Sequence, residues 1–230
     1  MSKADKLAKA ARSYGGVLVA RCGQGEPPMR AMLGMNDKTN NGICRTMVAK
    51  WFIELKNARD YWSWLTPGGK VNSAAVGNLM MVFADIGKLD VEPTTVEDIK
   101  NPKRGKGSTA YFANYLSLYG VFPSKQTFTT GEQNGYSMVA GGRAPEEAGR
   151  VIRDMAPGAA AYAFIGMSKG LSSGHAVGAF VAADRSTKYY DPNIGQIDFP
   201  STADLAKWLA KSVGALVYAD YTRVGWDWYD

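Results

Sequence analysis

Histidine and cysteine are scarce in this chain of 230 residues, which contains one histidine, His175, and two cysteines, Cys22 and Cys44. Any chemistry that needs an imidazole must use His175, so a cysteine–histidine enzyme can be assembled in only two ways. Two cysteines exclude a disulfide framework, although a single Cys22–Cys44 bridge stays open for a protein that works outside a cell. One histidine without a Cys-x-x-Cys motif argues against structural zinc, and we expect neither a metal nor a cofactor.

Long apolar stretches are also missing. No uninterrupted apolar run approaches the roughly 20 residues that a membrane-spanning helix needs. The charged N-terminal segment, residues 1–12, lacks the apolar stretch of a Sec signal peptide. We therefore expect a protein that is intracellular or exported by a route that does not read such a peptide.

Positive charge is in excess, with a formal net charge of +6, and much of it lies in residues 3–12 and 100–106. Basic segments attract anionic partners such as membrane surfaces, nucleic acid or cell-wall polymers, but they also keep proteins soluble. The sequence contains no RNA-binding aromatic motif, helix-turn-helix pattern or zinc-finger spacing. We interpret most of the charge as solvated surface and expect no nucleic-acid partner.

Helical periodicity marks the first half of the chain and strand patterns mark the second half, which indicates an α+β domain with a largely antiparallel sheet. We expect residues 1–30 to form an N-terminal arm or short helix and residues 31–230 to form the main domain. Predicted helices cover about 3–13, 44–55, 73–84, 108–118, 145–155 and 205–213, and predicted strands cover 17–22, 159–167, 175–183, 188–191, 196–199 and 215–224.

Cys44 is predicted in the first turn of a helix, because turn-forming residues occupy 35–42 and the helical period begins directly after them. A helix N-terminus lowers the pKa of a thiol through its unpaired N–H groups and its dipole. Cys22 ends the apolar run 17–22, which is predicted to be a buried strand, and is interpreted as a small buried core residue. Cys44 is therefore the better candidate for a nucleophile.

His175 and Asp191 are predicted at the same end of neighbouring strands. A tight turn at Asp184-Arg185 would give opposing residues an index sum near 369, leaving Asp191 about three residues out of register with His175, roughly 10 Å along the strand. An aspartate beside an imidazole fixes its tautomer and stabilises its charged form. Alternatively, His175 is a packed strand residue and Asp191 a turn former, because Asp-Pro-Asn-x-Gly favours a turn in any case.

Three segments together carry a resemblance to a known family. They are Gly42-Ile-Cys44 with Trp51 on the buried helix face, Gly174-His-Ala-Val177, and Tyr190-Asp-Pro-Asn-x-Gly195 followed by Phe199. This order is similar to that of the YopT/AvrPphB family of bacterial effector cysteine proteases, from about residue 36 to the C-terminus. The resemblance implies a papain-like fold, in which a helical N-terminal half with the cysteine helix packs on a C-terminal antiparallel sheet.

The resemblance also implies roles for individual residues. Cys44 would be the nucleophile, His175 the general base and then acid, and Asp191 the residue that orients the imidazole. The oxyanion hole would combine the Cys44 backbone N–H with a side-chain amide, for which Asn40 is the first choice and Asn41 and Asn36 are alternatives. Helix capping is the competing interpretation of these asparagines.

The function implied is that of a thiol endopeptidase delivered into another cell. Family substrates are host signalling proteins such as prenylated Rho-type GTPases or kinases. We therefore expect a protein substrate with an acidic or membrane-apposed region, and an export chaperone or secretion apparatus as a further partner. The same triad would also suit a peptidoglycan amidase of the NlpC type or a toxin deamidase or acyltransferase. A binding module that kept the fold and lost activity is the remaining alternative.

Overall fold

A computed structural model describes residues 2–35, 42–89, 108–124, 134–154, 160–169 and 173–230. The chain forms two compact units. The first, here called the sheet unit, joins Met1–Gly23 with Ser124–Asp230, and the second, the helical unit, is Gln24–Pro123. The division into an arm (1–30) and a protease domain (31–230) stays a prediction.

The described elements include all the predicted helices and, apart from the final strand, all the predicted strands. The helices Met29–Leu33 and Tyr61–Leu65 and the strand Asn134–Met138 were not predicted. The bounds of the described elements are α1 Lys3–Arg12, β1 Val17–Ala20, α2 Met29–Leu33, α3 Cys44–Lys56, α4 Tyr61–Leu65, α5 Ser73–Leu89, α6 Ser108–Ser117, β2 Asn134–Met138, α7 Ala144–Arg153, β3 Ala161–Lys169, β4 Ser173–Val181, β5 Thr187–Asp191, β6 Gly195–Phe199, α8 Thr202–Trp208, α9 Gly214–Leu216 and β7 Arg223–Tyr229.

Within the described ranges, seven strands form one antiparallel sheet in the order β1-β6-β5-β4-β3-β7-β2. The helices α2 to α6 precede all of these strands except β1. The predicted α+β class, with helices in the N-terminal half and an antiparallel sheet in the C-terminal half, is therefore confirmed. Among the described helices, none combines the length and the apolar character of a membrane span.

The core of the sheet unit lies between one face of the sheet and the helices α1, α7 and α8. Side chains alternate between the two faces of a strand, so every second residue of β3, β4 and β5 points into this core. The indole N–H of Trp208 also donates a hydrogen bond to the backbone carbonyl of Leu7, at 3.2 Å. The core includes Leu7, Ala11, Ile152, Ile165, Val177, Ala179, Tyr189, Leu205 and Trp208.

In the helical unit, α3 is buried over most of its circumference, whereas the spacing of Met47, Trp51 and Phe52 predicts a single buried face. Glu54 is buried on the same helix and forms ion pairs with Lys50 and Arg59. A buried carboxylate needs such partners, because removing an unpaired charge from water is costly. The helix that begins at Cys44 is thus held by both apolar packing and ion pairs.

Two sequence predictions about strands were wrong. The final strand, predicted at 215–224, begins only at Arg223, and Gly214–Leu216 is helical. A short apolar run does not by itself distinguish a strand from the end of a helix. The strand predicted as buried at 17–22 lies at the sheet edge as β1, where Val17 and Val19 are 63% and 50% exposed.

Candidate active site

Cys44 is the first residue of α3 and lies in the helical unit. Directly before it, the backbone N–H of Ile43 donates to Oε1 of the buried Gln24 at 2.9 Å. Gly42 makes room for this amide: its φ is +103°, and a Cβ there would lie 2.7 Å from the Gln24 Oε1. The Gln24 side chain therefore anchors the start of the helix, a contact that sequence reasoning missed because the two residues lie 19 positions apart.

Both cysteines are thiols, so the Cys22–Cys44 disulfide left open by the sequence is not formed. Cys22 is buried, as predicted, whereas Cys44 is partly exposed. The three asparagines considered for the oxyanion hole, Asn40, Asn41 and Asn36, lie outside the described residues.

His175 and Asp191 are in direct contact in the sheet unit. His175 lies near the start of β4 and Asp191 is the last residue of β5. The His175 Nε2 lies 2.8 Å from Asp191 Oδ1. The carboxylate is fully buried and the histidine is only 6% exposed. The contact is therefore a buried hydrogen bond, and it becomes an ion pair whenever the imidazole is protonated.

The register of β4 and β5 differs from the sequence prediction by one residue. This difference determines whether Asp191 can contact His175. The turn has three residues, 183–185, with Arg185 at a φ of +72°, rather than the predicted two. Gly178 consequently pairs with Tyr190, which sets the index sum to 368 instead of 369. A slip of one residue moves a side chain to the other face of the sheet. The observed register is the one that places Asp191 on the same face as His175.

Asp191 accepts hydrogen bonds from two groups besides the histidine. The backbone N–H of Asn193 donates to Oδ1 at 2.8 Å, which closes the turn after Pro192. The hydroxyl of Tyr218 donates to Oδ2 at 2.8 Å. A carboxylate with no solvent access keeps its charge only when such donors replace water. Both oxygens of the buried Asp191 side chain are therefore satisfied by hydrogen-bond donors.

The contact between Asp191 and Nε2 also determines where the lone pair of the neutral imidazole lies. A carboxylate accepts hydrogen bonds, so Nε2 carries the proton and Nδ1 is the basic nitrogen. The amide nitrogen of Asn193 lies 3.5 Å from this Nδ1, which is long for a hydrogen bond. The arrangement can therefore take up a proton at Nδ1.

Tyr218 is a site residue that sequence reasoning missed. Its ring stacks on that of His175, with 5.2 Å between the ring centroids and 22° between the planes. Burial and the charge of Asp191 raise the pKa of Tyr218 well above its ordinary value, so the phenol stays protonated as a donor at neutral pH. Nothing in the local sequence could have identified it, because it lies 27 residues after Asp191 within a predicted strand.

The structure thus brings two of the three predicted catalytic residues together, His175 and Asp191, and places Cys44 at a helix start in the helical unit. The triad as a whole stays a prediction. Among the described residues, no group of three or more His, Cys, Asp or Glu side chains could hold a metal ion.

A peptidase family model described as Yersinia/Haemophilus virulence surface antigen matches residues 14–225. Among solved structures, the avirulence protein AvrPphB of Pseudomonas matches at 12% sequence identity and a TM-score of 0.56, over 85% of this chain and 95% of AvrPphB. This likeness shows a shared fold.

Two further solved structures match with lower TM-scores. The YopT domain of the Pasteurella multocida PfhB2 toxin is 17% identical, with a TM-score of 0.37 and 88% of each chain covered. PatoxP, a cysteine protease-like domain of the Photorhabdus asymbiotica toxin PaTox, is 11% identical, with a TM-score of 0.31, over 98% of this chain and 60% of that one. No curated protein matches this chain by sequence.

Proposed function

Because the chain belongs to the YopT/AvrPphB-type family of cysteine proteases, we propose that it is a cysteine endopeptidase with Cys44, His175 and Asp191 as its catalytic triad. The observation that carries this proposal is the buried 2.8 Å contact between Asp191 and the only histidine of the chain. A buried imidazole paired with a carboxylate is the proton carrier that a cysteine nucleophile needs. The position of Cys44 at a helix start supports its role as that nucleophile.

The proposed reaction passes through an acyl-enzyme. With Nε2–H held by Asp191, Nδ1 of His175 takes the proton of the Cys44 thiol, and the thiolate attacks the scissile carbonyl carbon. The imidazolium then gives its proton to the leaving amine as the peptide C–N bond breaks. Water, activated by the same Nδ1, hydrolyses the thioester and restores the thiol.

The negative oxygen of the tetrahedral intermediate needs donors. We propose the Cys44 backbone N–H and a side-chain amide, with Asn40 as first choice and Asn41 and Asn36 as alternatives. A donor at such a position contributes about 10²- to 10³-fold to the rate in other hydrolases.

We propose that the substrate is a protein of a target cell into which the protease is delivered. The family description as a virulence antigen and the likeness to an avirulence protein support this setting. The basic residues of α1 also suit it, because Lys3, Lys6, Lys9 and Arg12 are exposed while Leu7 is buried. An exposed basic face favours a substrate region that is acidic or close to a membrane. An export chaperone or secretion apparatus would be a further partner.

The reactivity of Cys44 tests the triad. We expect iodoacetamide or an epoxide probe to label Cys44 at least tenfold faster than a free thiol, and His175→Ala to abolish this excess, because the imidazole generates the thiolate. Cys22→Ala is the matched control and should leave the labelling unchanged. If Cys44 reacts no faster than a free thiol and His175→Ala has no effect, the chain is a binding module and the protease proposal is wrong.

A second measurement identifies the type of bond that is cleaved. We expect proteomic profiling of a target-cell lysate to reveal new protein N-termini with the wild-type chain and none with Cys44→Ala. Cleavage of purified peptidoglycan without new protein N-termini would instead support an amidase. A mass change on proteins without chain cleavage would support a deamidase or acyltransferase.

A further inference from the structure

We propose that Tyr218 is a positioning residue, which holds the Asp191 carboxylate with its hydroxyl and the His175 ring with its aromatic face. The proposal rests on the proposed function insofar as the His175–Asp191 pair is taken as the proton carrier of the triad. Tyr218 lies between α9 and β7, apart from the strands that carry the pair. Tyr218 therefore contacts the His175–Asp191 pair from a third segment of the chain.

The hydroxyl of Tyr218 fixes the plane of the carboxylate. His175 Nε2 contacts Oδ1 at 2.8 Å and the Tyr218 hydroxyl donates to Oδ2 at 2.8 Å. A carboxylate bound at one oxygen can still rotate about its Cβ–Cγ bond, whereas one bound at both oxygens cannot without breaking a hydrogen bond. The donor on Oδ2 thus keeps Oδ1 directed at the imidazole, as supporting groups do for the ligands of metal sites.

The ring of Tyr218 limits the tilt of the imidazole. The two rings stack with centroids 5.2 Å apart and planes 22° apart, and Tyr218 itself is almost fully buried. Rotation of His175 about its Cβ–Cγ bond would drive the imidazole edge into this ring. The stack therefore holds Nδ1 in one direction, which a proton transfer requires.

Asn193 donates hydrogen bonds to both Tyr218 and Asp191. Its side-chain amide donates to the Tyr218 hydroxyl at 3.3 Å, and its backbone N–H donates to Asp191 Oδ1 at 2.8 Å. The phenol oxygen thus accepts a hydrogen bond from Asn193, while the phenol O–H donates a hydrogen bond to Asp191. Such a chain of donors polarises each hydrogen bond and orients the phenol proton towards the carboxylate.

Among the described residues of the sheet unit, His175 and Tyr218 contact the carboxylate, the charge of Asp191 acts on Tyr189, and Tyr221 packs edge-on against Tyr218. Burial and the charge of Asp191 raise the pKa of both Tyr189 and Tyr218 well above 10. Neither phenol therefore ionises between pH 4 and 9. A change in the His175 imidazole signals in that range therefore does not arise from ionisation of either phenol.

The experiment uses the single histidine of the chain, whose imidazole signals can be followed by NMR without assignment. Tyr218→Phe keeps the ring and removes the hydroxyl. In this variant the Asp191 carboxylate loses a hydrogen-bond donor. That donor stabilises the carboxylate most when His175 is neutral, so its removal favours the protonated imidazole. We expect the apparent pKa of His175 to rise by about one unit. Tyr221→Phe, the same change on the neighbouring ring, should leave it unchanged.

A second substitution covers the case in which Tyr218→Phe does not fold. Site-specific 3-fluorotyrosine at position 218 preserves the shape and makes the phenol a stronger donor, so the pKa of His175 should fall. If neither change at position 218 moves the titration, or if Tyr221→Phe moves it equally, the positioning role is overturned.

Kinetics separate this proposal from the proposed function. In Tyr218→Phe we expect kcat for a cleaved peptide to fall about tenfold with KM unchanged, because the residue orients the pair and does not touch the substrate. A shift in the His175 titration in a chain whose Cys44 is unreactive would support the positioning role and overturn the protease proposal alone. A reactive Cys44 together with an unchanged His175 pKa would support the protease proposal and overturn the positioning role.

Discussion

At the scale of single residues, the site depends on a fully buried carboxylate. Asp191 receives donors from His175, Asn193 and Tyr218, which lie on separate segments of the chain. These donors replace the water that a buried charge has lost. Because the carboxylate accepts from Nε2, it also decides that Nδ1 is the basic nitrogen of the imidazole. One residue therefore sets both the charge and the proton position of the candidate site.

We expect Asp191→Asn to lower the rate of Cys44 alkylation by about 10²- to 10⁴-fold, because a neutral amide neither stabilises the imidazolium nor enforces the tautomer. The apparent pKa of His175 should fall in the same variant. Asp198→Asn is the matched control, since Asp198 lies on β6 with its side chain directed to the opposite face of the sheet. Equal alkylation rates in the two variants would show that Asp191 does not orient the imidazole.

At the scale of secondary-structure elements, two residues with positive φ, Arg185 and Gly195, shape the region around the β4–β5 hairpin. The three-residue turn with Arg185 at positive φ sets the register that brings Asp191 to His175. Gly195, opposite Asp191 on β6, has a φ of +118°, and a Cβ there would lie 2.1 Å from the backbone oxygen of Ala20. The absence of a side chain at Gly195 therefore permits β1 to approach β6 next to the site.

Gly195→Ala should decrease the free energy of unfolding by about 3 kcal/mol or more, because the methyl group meets backbone atoms and the φ angle is strained for alanine. Gly166→Ala is the control in β3, where a Cβ has no atom within 4 Å and φ is not in the left-handed region. We expect that change to cost less than about 1 kcal/mol. Denaturant unfolding followed by fluorescence compares the two, and similar losses would contradict the close approach of β1 to β6.

At the scale of the whole molecule, the two ends of the chain build one unit. Residues 1–23 supply α1 and β1, and residues 124–230 supply the remaining strands and helices of the sheet unit. Leu7 and Ala11 of α1 lie in its core, and the indole of Trp208 bonds to the Leu7 carbonyl across 201 positions of sequence. The N-terminal helix therefore stabilises the unit that holds His175 and Asp191.

We expect Leu7→Ala to lower the free energy of unfolding by about 2–5 kcal/mol, as large-to-small changes in a core do. Leu118→Ala is the matched control, because Leu118 is 80% exposed and should contribute less than about 0.5 kcal/mol. Thermal or denaturant unfolding of both variants decides the point. A tolerant Leu7→Ala would mean that α1 does not support the sheet unit.

Much of the fold was predictable because its signals are local. The period of apolar residues located α3, and Ser201 accepts a hydrogen bond from the Asp204 N–H as the capping pattern indicates. The papain-like α+β class predicted from the resemblance is confirmed by the family match and the shared fold with AvrPphB. The final strand was misplaced because Leu209–Val213 forms a π-helix that Gly214–Leu216 continues, and a short apolar run does not by itself distinguish a helix end from a strand.

By itself, the sequence determined which residues are available for chemistry: one histidine, two cysteines and an aspartate in a turn-forming segment. Composition, spacing and turn preference are properties of neighbouring residues, so they can be recognised without a structure. The tertiary structure alone decided that Asp191 and His175 share a face of the sheet, through a turn with an extra residue that only the register reveals. It alone also brought Tyr218 onto the pair, because contacts across 27 and 43 positions depend on how the whole sheet unit packs.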